Sequence, residues 1–151
     1  MQGNNIFQAV TFAVAALGAV LGVINTWRAI GKDRVKLKVT PKHAIPVGTT
    51  NQRVKFCIDV LNLSSFSVTV TEVGVLFKGT KVRGVSVNPL IFDGGSFPRR
   101  LEPRTSFTVY FLEETLINTE HRIKCAYAAT DCGVLKKGKS AAFKQLIKEY
   151  K

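Results

Sequence analysis

The sequence predicts a mainly β protein behind one transmembrane α-helix: an antiparallel two-sheet sandwich of seven or eight strands, closed by a short amphipathic C-terminal helix. Three observations predict it. Residues Ile6 to Trp27 carry no charged side chain. From Arg34 onward, apolar residues recur at every second position in short runs punctuated by Gly, Pro, Asn and Asp. No long helix-period segment separates those runs, which excludes the crossover helices of a parallel α/β sheet and leaves an OB-like barrel as the alternative β fold.

A helix over Ile6 to Trp27 reaches about 33 Å at about 1.5 Å per residue, enough to cross a hydrocarbon core of about 30 Å. A cleaved signal peptide would need a basic start and a small-residue cleavage site. Residues 1–5 read Met-Gln-Gly-Asn-Asn, and the apolar run ends in Asn25-Thr26-Trp27-Arg28. A soluble core helix would show a polar stripe, whereas Gln8, Thr11, Asn25 and Thr26 lie mostly towards the ends. An interfacial helix would need a charged face.

Past Trp27 come Arg28, Lys32, Arg34, Lys36 and Lys38, with Asp33 the single acidic exception. Basic residues beside a span are retained on the cytoplasmic side, so the expected topology is an extracytoplasmic N-terminus (1–5), a span (6–27) and a cytoplasmic C-terminal domain. The expected location is the inner cell membrane, with a virion membrane as the alternative. Trp27 suits an interfacial anchor, and together with Arg28, Lys32, Arg34, Lys36 and Lys38 it forms the expected head-group contact set around a basic linker (28–33). Within the span, Gly18 and Gly22, extended by Ala15 and Ala19, form a small-residue face that lets a second helix approach, which opens the way to a homo-oligomer or to packing on a partner's helix.

The domain is expected over residues 34–138. Val35, Leu37 and Val39 alternate with Arg34, Lys36 and Lys38 in a first strand. Pro41 to Gln52 reads as a loop, Arg53 to Leu61 as a second strand, and Asn62-Leu63-Ser64-Ser65 as a turn. Ser67 to Phe77 holds Val68 and Val70 in one phase and Val73, Val75 and Phe77 in the other, which calls for a β-bulge near Thr71 and Glu72. Lys81 to Val87 forms a further strand, Leu90 to Phe92 a short edge segment, and Thr105 to Leu112 a strand whose Phe107, Val109 and Phe111 share a face. Glu113 to Glu120 makes one helical turn, Arg122 to Ala129 is a strand with Ile123, Cys125 and Tyr127 inward, and Val134-Leu135 starts the last. Residues 139–151 place Phe143, Leu146, Ile147 and Tyr150 at helical spacing opposite Lys144, Lys148 and Lys151, with Ser140 as N-cap. This helix can pack on the sandwich, lie on the membrane or bind a partner; in the last case Phe143, Lys144, Leu146, Ile147 and Tyr150 form the contact.

All 22 Lys and Arg and all 10 Asp and Glu lie at or after Arg28, so the whole net charge of +12 belongs to the chain beyond the span. Such a domain attracts anionic lipids, at about 1 kcal/mol per cation close to the surface, or nucleic acid. Arg34, Lys36 and Lys38, Arg99, Arg100 and Arg104, and Lys136, Lys137 and Lys139 are the groups that would line one surface. Single-strand binders interleave such charges with exposed aromatics, and most Phe residues here sit in inward phases, so nucleic acid is not the favoured partner. The alternation of Lys55, Cys57 and Asp59 puts Cys57 outward and Cys125 inward, against a disulfide between them; free thiols suit a reducing cytoplasm. No Walker A loop or paired Cys-x-x-Cys is present, and His43 and His121 are isolated. Neither cofactor, metal nor catalytic residue is assigned. A Cys57 or Cys132 nucleophile with His121 as base would require a geometry that the sequence does not specify.

Val60-Leu61-Asn62-Leu63-Ser64-Ser65-Phe66-Ser67-Val68-Thr69-Val70 and Leu101-Glu102-Pro103-Arg104-Thr105-Ser106-Phe107-Thr108-Val109 resemble a pair of segments recurrent in bacterial immunoglobulin-like or fibronectin-type-III-like sandwiches. The layout resembles uncharacterised bacterial or prophage single-pass proteins with one such domain. That resemblance implies a fold and carries no catalytic residue; by exclusion the expected role is a non-enzymatic membrane-anchored interaction or scaffolding module, with a structural protein of a membrane-containing virion and a membrane-tethered nucleic-acid-binding protein as the alternatives. The chain departs from antibody domains in lacking a core Trp and paired cysteines.

Overall fold

The computed structural model describes residues 3–45, 47, 53–117 and 121–150. The chain divides into two units, one ending at Arg34 and one beginning at Val35.

The first unit is helix α1, Gly3–Lys32. It is longer than the expected span at both ends, continuing through Gly31 to Lys32 and ending before Asp33. The expected 28–33 linker therefore shrinks to Asp33 and Arg34. Lys32 in the last turn complements the carbonyl end of the helix dipole. The segment from Phe7 to Lys32 is long and apolar enough to cross a membrane and is exposed along its length. Its two threonines satisfy themselves: Thr11 Oγ1 donates to the Phe7 carbonyl at 2.8 Å and Thr26 Oγ1 to the Gly22 carbonyl at 2.9 Å. In hydrocarbon, leaving such a hydroxyl unbonded would cost several kcal/mol.

The second unit is mainly β, with two antiparallel sheets. Its elements are β1 (Leu37–His43), β2 (Val54–Asn62), β3 (Val68–Phe77), β4 (Arg83–Val85), β5 (Arg99–Leu101), β6 (Ser106–Leu112), α2 (Glu114–Ile117), β7 (Ile123–Thr130), β8 (Leu135–Gly138) and α3 (Ala141–Glu149). One sheet runs β1-β2-β6; the other runs β4-β3-β7-β8, with β5 paired to the start of β3. Phe56, Ile58, Val60 and Val109 from the first and Val70, Val73, Ala126 and Ala128 from the second belong to one core, which Phe143 and Leu146 of α3 complete. Phe56 stacks on Phe111 at 4.7 Å between centroids and meets Phe143 at 5.2 Å.

The register shifts between Val70 and Glu72, as the phase change requires. Asn62, fully buried, accepts from the Ser64 N–H at 2.9 Å and donates to the Phe66 and Leu101 carbonyls at 2.8 and 3.1 Å, tying the end of β2 to the chain leading into β3 and β6. Ser140 caps α3, its Oγ accepting from the Phe143 N–H at 3.1 Å.

Several expectations are corrected. The first strand starts at Leu37 and continues through Pro41 to His43, pairing with β2 as far as Phe56. Proline fits because β1 is an edge strand and its missing N–H removes no ladder bond. Of the expected loop, residue 46 and residues 48–52 lie outside the described residues, as do residues 118–120 after α2. The strand expected over Lys81 to Val87 is only Arg83–Val85, since Thr80 Oγ1 accepts from the Val82 N–H and holds that stretch in a turn. Leu90 makes a single bridge to Tyr110.

Cys57 is buried, not exposed: it occupies the outer face of its sheet, flanked in register by Lys42 and Tyr110. In β7 the register slips between Ile123 and Cys125, so the core phase passes to Ala126 and Ala128. Tyr127 takes the opposite face, where its hydroxyl donates to Glu72 at 3.2 Å and Arg83 lies over its ring. The face of α3 expected to meet a partner is taken up by the domain's own core: Phe143 and Leu146 are buried and Ile147 and Tyr150 pack against it, which leaves Lys144 of that set exposed.

Candidate functional site

The fold sorts the charge of this chain. Six ion pairs are described: Lys42–Asp59 at 3.0 Å, Arg53–Glu114 at 3.2 Å, Lys55–Glu113 at 3.7 Å, Arg83–Glu72 at 3.2 Å, Arg99–Asp93 at 2.9 Å and Arg100–Glu102 at 3.2 Å. They use six of the ten acidic residues, so cations elsewhere have few carboxylates to meet.

Arg99 is the most strongly held, gripping Asp93 through both carboxylate oxygens. The Gly95 N–H, and after it this guanidinium, hold the Asp93 carboxyl below its ordinary range. Arg100 also donates to Ser67 Oγ. Both lie on β5, across β3 from β7 and β8. The three basic groups expected on one surface are therefore separated. Arg99 and Arg100 occupy the far edge and are neutralised there, and Arg104 sits between β5 and β6 in the left-handed region, φ 65°.

The other two groups come together. A Cβ on Gly138 would collide with the Val39 carbonyl oxygen, so β8 passes against β1 without a side chain between them. Two residues further on, Ser140 Oγ donates to the Pro41 carbonyl at 2.6 Å. Both partners advance by two, so β8 runs parallel to β1 and Lys136 comes alongside Leu37. Lys36 and Lys38 flank Leu37 on one side of this seam; on the other, Lys137 shares the outer face of β8 with Tyr127, Lys136 stands on the opposite face across from Ala128, Lys139 follows Gly138, and all five are exposed. Beyond Ser140, α3 packs on β1 and presents Lys144 and Lys148, one helical turn apart and both exposed. None of these lysines takes part in an ion pair among the described residues. The next cation along β1, Lys42, is the first to be paired; its hydrogen bond to Asp59 raises its pKa.

The β1–β8 seam is thus a strip of unneutralised point charges with no exposed aromatic ring described along it. Lysine ammonium groups lack the planar fork with which arginine recognises a particular phosphate, so the strip suits a diffuse anionic surface. The sequence shows each lysine run, but the neighbourhood of β1 and β8, which meet at Val39 and Gly138, is written in neither run.

The remaining sequence candidates are placed as follows. Trp27 and Arg28 are exposed on α1, as are Ala15, Gly18, Ala19 and Gly22, and Gly18 and Gly22 have open space where a Cβ would stand. His121 lies against Phe77 just before β7, while Cys132 lies in the turn after it with its sulfur 3.1 Å from Thr130 Oγ1. The length of β7, Ile123–Thr130, separates them by about 25 Å, so they form no nucleophile–base pair. Cys57 is buried, and that burial pushes its thiol pKa up, away from thiolate chemistry. Among the described residues no three His, Cys, Asp or Glu side chains gather as metal ligands. A cavity of about 190 Å³ opens between the β3–β4 edge and β6–α2, lined mainly by Val75, Phe77, Val85 and Phe111.

No family model, curated protein or solved structure matches the chain.

Proposed function

We propose that this chain is a non-enzymatic, single-pass membrane protein that displays a basic immunoglobulin-like or fibronectin-type-III-like sandwich as an interaction or scaffolding module. The observation that carries the reading is α1, an exposed helix uncharged from Gly3 to Trp27 and followed at once by basic residues. Trp27, Arg28, Lys32, Arg34, Lys36 and Lys38 contact anionic head groups, and the open face at Gly18 and Gly22 packs against a second helix. The strand order supports the sandwich: lettered along the chain, the sheets read A-B-E and C′-C-F-G, the arrangement of immunoglobulin-like domains. The short β5 departs from it by pairing with β3 instead of β6.

The test is topology in intact and permeabilised cells, read by thiol labelling at Cys132, the exposed cysteine. Labelling only after permeabilisation supports a cytoplasmic domain. Labelling in intact cells reverses the orientation, and release of the chain from membranes by alkaline carbonate would overturn the anchoring itself.

A further inference from the structure

Resting on the anchored reading, we propose that the β1–β8 seam is a second lipid-docking site, which binds the anionic head groups of the membrane that α1 spans and holds the domain by this edge. Three observations converge. Lys36, Lys38, Lys136, Lys137 and Lys139 are brought together by the parallel approach of β8 to β1, although they come from opposite ends of the domain sequence. They are exposed and without carboxylate partners among the described residues, whereas Arg99 and Arg100 of β5 are paired. The strip also begins within a few residues of the span, since Lys36 follows Lys32 by four positions. The chain therefore delivers this edge to the head-group region before any other part of the domain. Lysines without interleaved aromatics match a fluid array of phosphates better than a stacked single strand. Docked by this edge, the domain leaves β4, β6 and the cavity between them on its opposite side.

The experiment uses the full chain in nanodiscs of phosphatidylcholine alone or with phosphatidylglycerol, and follows acetylation of each lysine by mass spectrometry. Acetylation of Lys136, Lys137 and Lys139 is expected to slow at least about fivefold in the anionic discs, the factor for one lysine held at such a surface, and to recover in high salt. Lys78 and Lys81, in the β3–β4 connection at the other edge, are expected to react equally in both. A K136Q/K137Q/K139Q variant is expected to expose Lys36 and Lys38, while a K78Q/K81Q variant keeps them protected. Equal acetylation in both discs overturns the docking site while leaving the anchor intact. Failure of the chain to enter discs overturns the anchored reading and the docking site with it. Protection of the seam by an oligonucleotide in phosphatidylcholine discs, without protection by phosphatidylglycerol, overturns the lipid assignment in favour of nucleic acid.

Discussion

Replacing Asn62 with alanine removes four hydrogen bonds from a fully buried site: acceptance from Ser64 N–H at 2.9 Å and donation to the Phe66, Leu101 and Glu102 carbonyls at 2.8, 3.1 and 3.3 Å. At about 1 kcal/mol net for each, and with buried groups left unpaired, the loss is about 3 to 4 kcal/mol. The assay is urea unfolding of the full chain in detergent, followed by the reactivity of the buried Cys57 and Cys125 thiols, so that persistence of α1 does not mask the domain. With a slope of about 1.5 kcal/mol per molar urea, the midpoint should fall by about 2 M. Asn62→Asp keeps the acceptance but loses all three donations and adds a buried charge, so it should fall at least as far at neutral pH. A midpoint within about 0.5 M of the parent for either variant would refute the assignment of these bonds as the clamp at the end of β2.

Phe143→Ala should cost about 3 to 5 kcal/mol by opening a cavity under α3, whereas Lys144→Gln should stay within about 0.5 kcal/mol, both read by the same unfolding assay. Gly138→Ala drives a methyl group into the Val39 carbonyl and should cost about 1 to 3 kcal/mol, with faster hydrogen exchange along β1 and β8. The Tyr127 pKa is pushed up to about 12, first by burial and then by Glu72. The folded state holds this proton more tightly than the unfolded state, so the contribution of Tyr127 is full below pH 10 and declines as pH rises towards 12. The expected loss is about 1 to 2 kcal/mol after screening, and Tyr127→Phe should remove that dependence from alkaline unfolding curves. In the native protein a maleimide should modify Cys132 first, with Cys57 and Cys125 reacting only on unfolding, as mass spectrometry of the labelled chain would report.

Local pattern made much of this fold legible. Alternation located the strands, the phase change at Val70 and Val73 located the bulge, and Ser140 three residues before Phe143 located the cap. What stayed hidden depends on neighbours far away in sequence. Cys57 lies in an outward phase yet is buried, because its cross-strand neighbours Lys42 and Tyr110 flank it. A one-residue slip inside β7 exchanged the faces of Tyr127 and Ala126, and no turn residue marks it. Charge runs showed where cations occur but not which would find carboxylates, so Arg99 and Lys137 looked equivalent until Asp93 was placed beside one of them.

Pro41 bears on crowding. Proteins confined to a bilayer meet their copies in two dimensions, where exposed strand edges invite sheet-to-sheet polymerisation. The outer rim of β1 is closed to an incoming strand, since Gly138 lies against the Val39 carbonyl, Ser140 Oγ donates to the Pro41 carbonyl and Pro41 has no N–H to offer, and the lysines along β1 and β8 repel an identical edge. The edge proposed to dock on an anionic surface would therefore discourage its own kind, which would let the domain accumulate densely without forming continuous sheets.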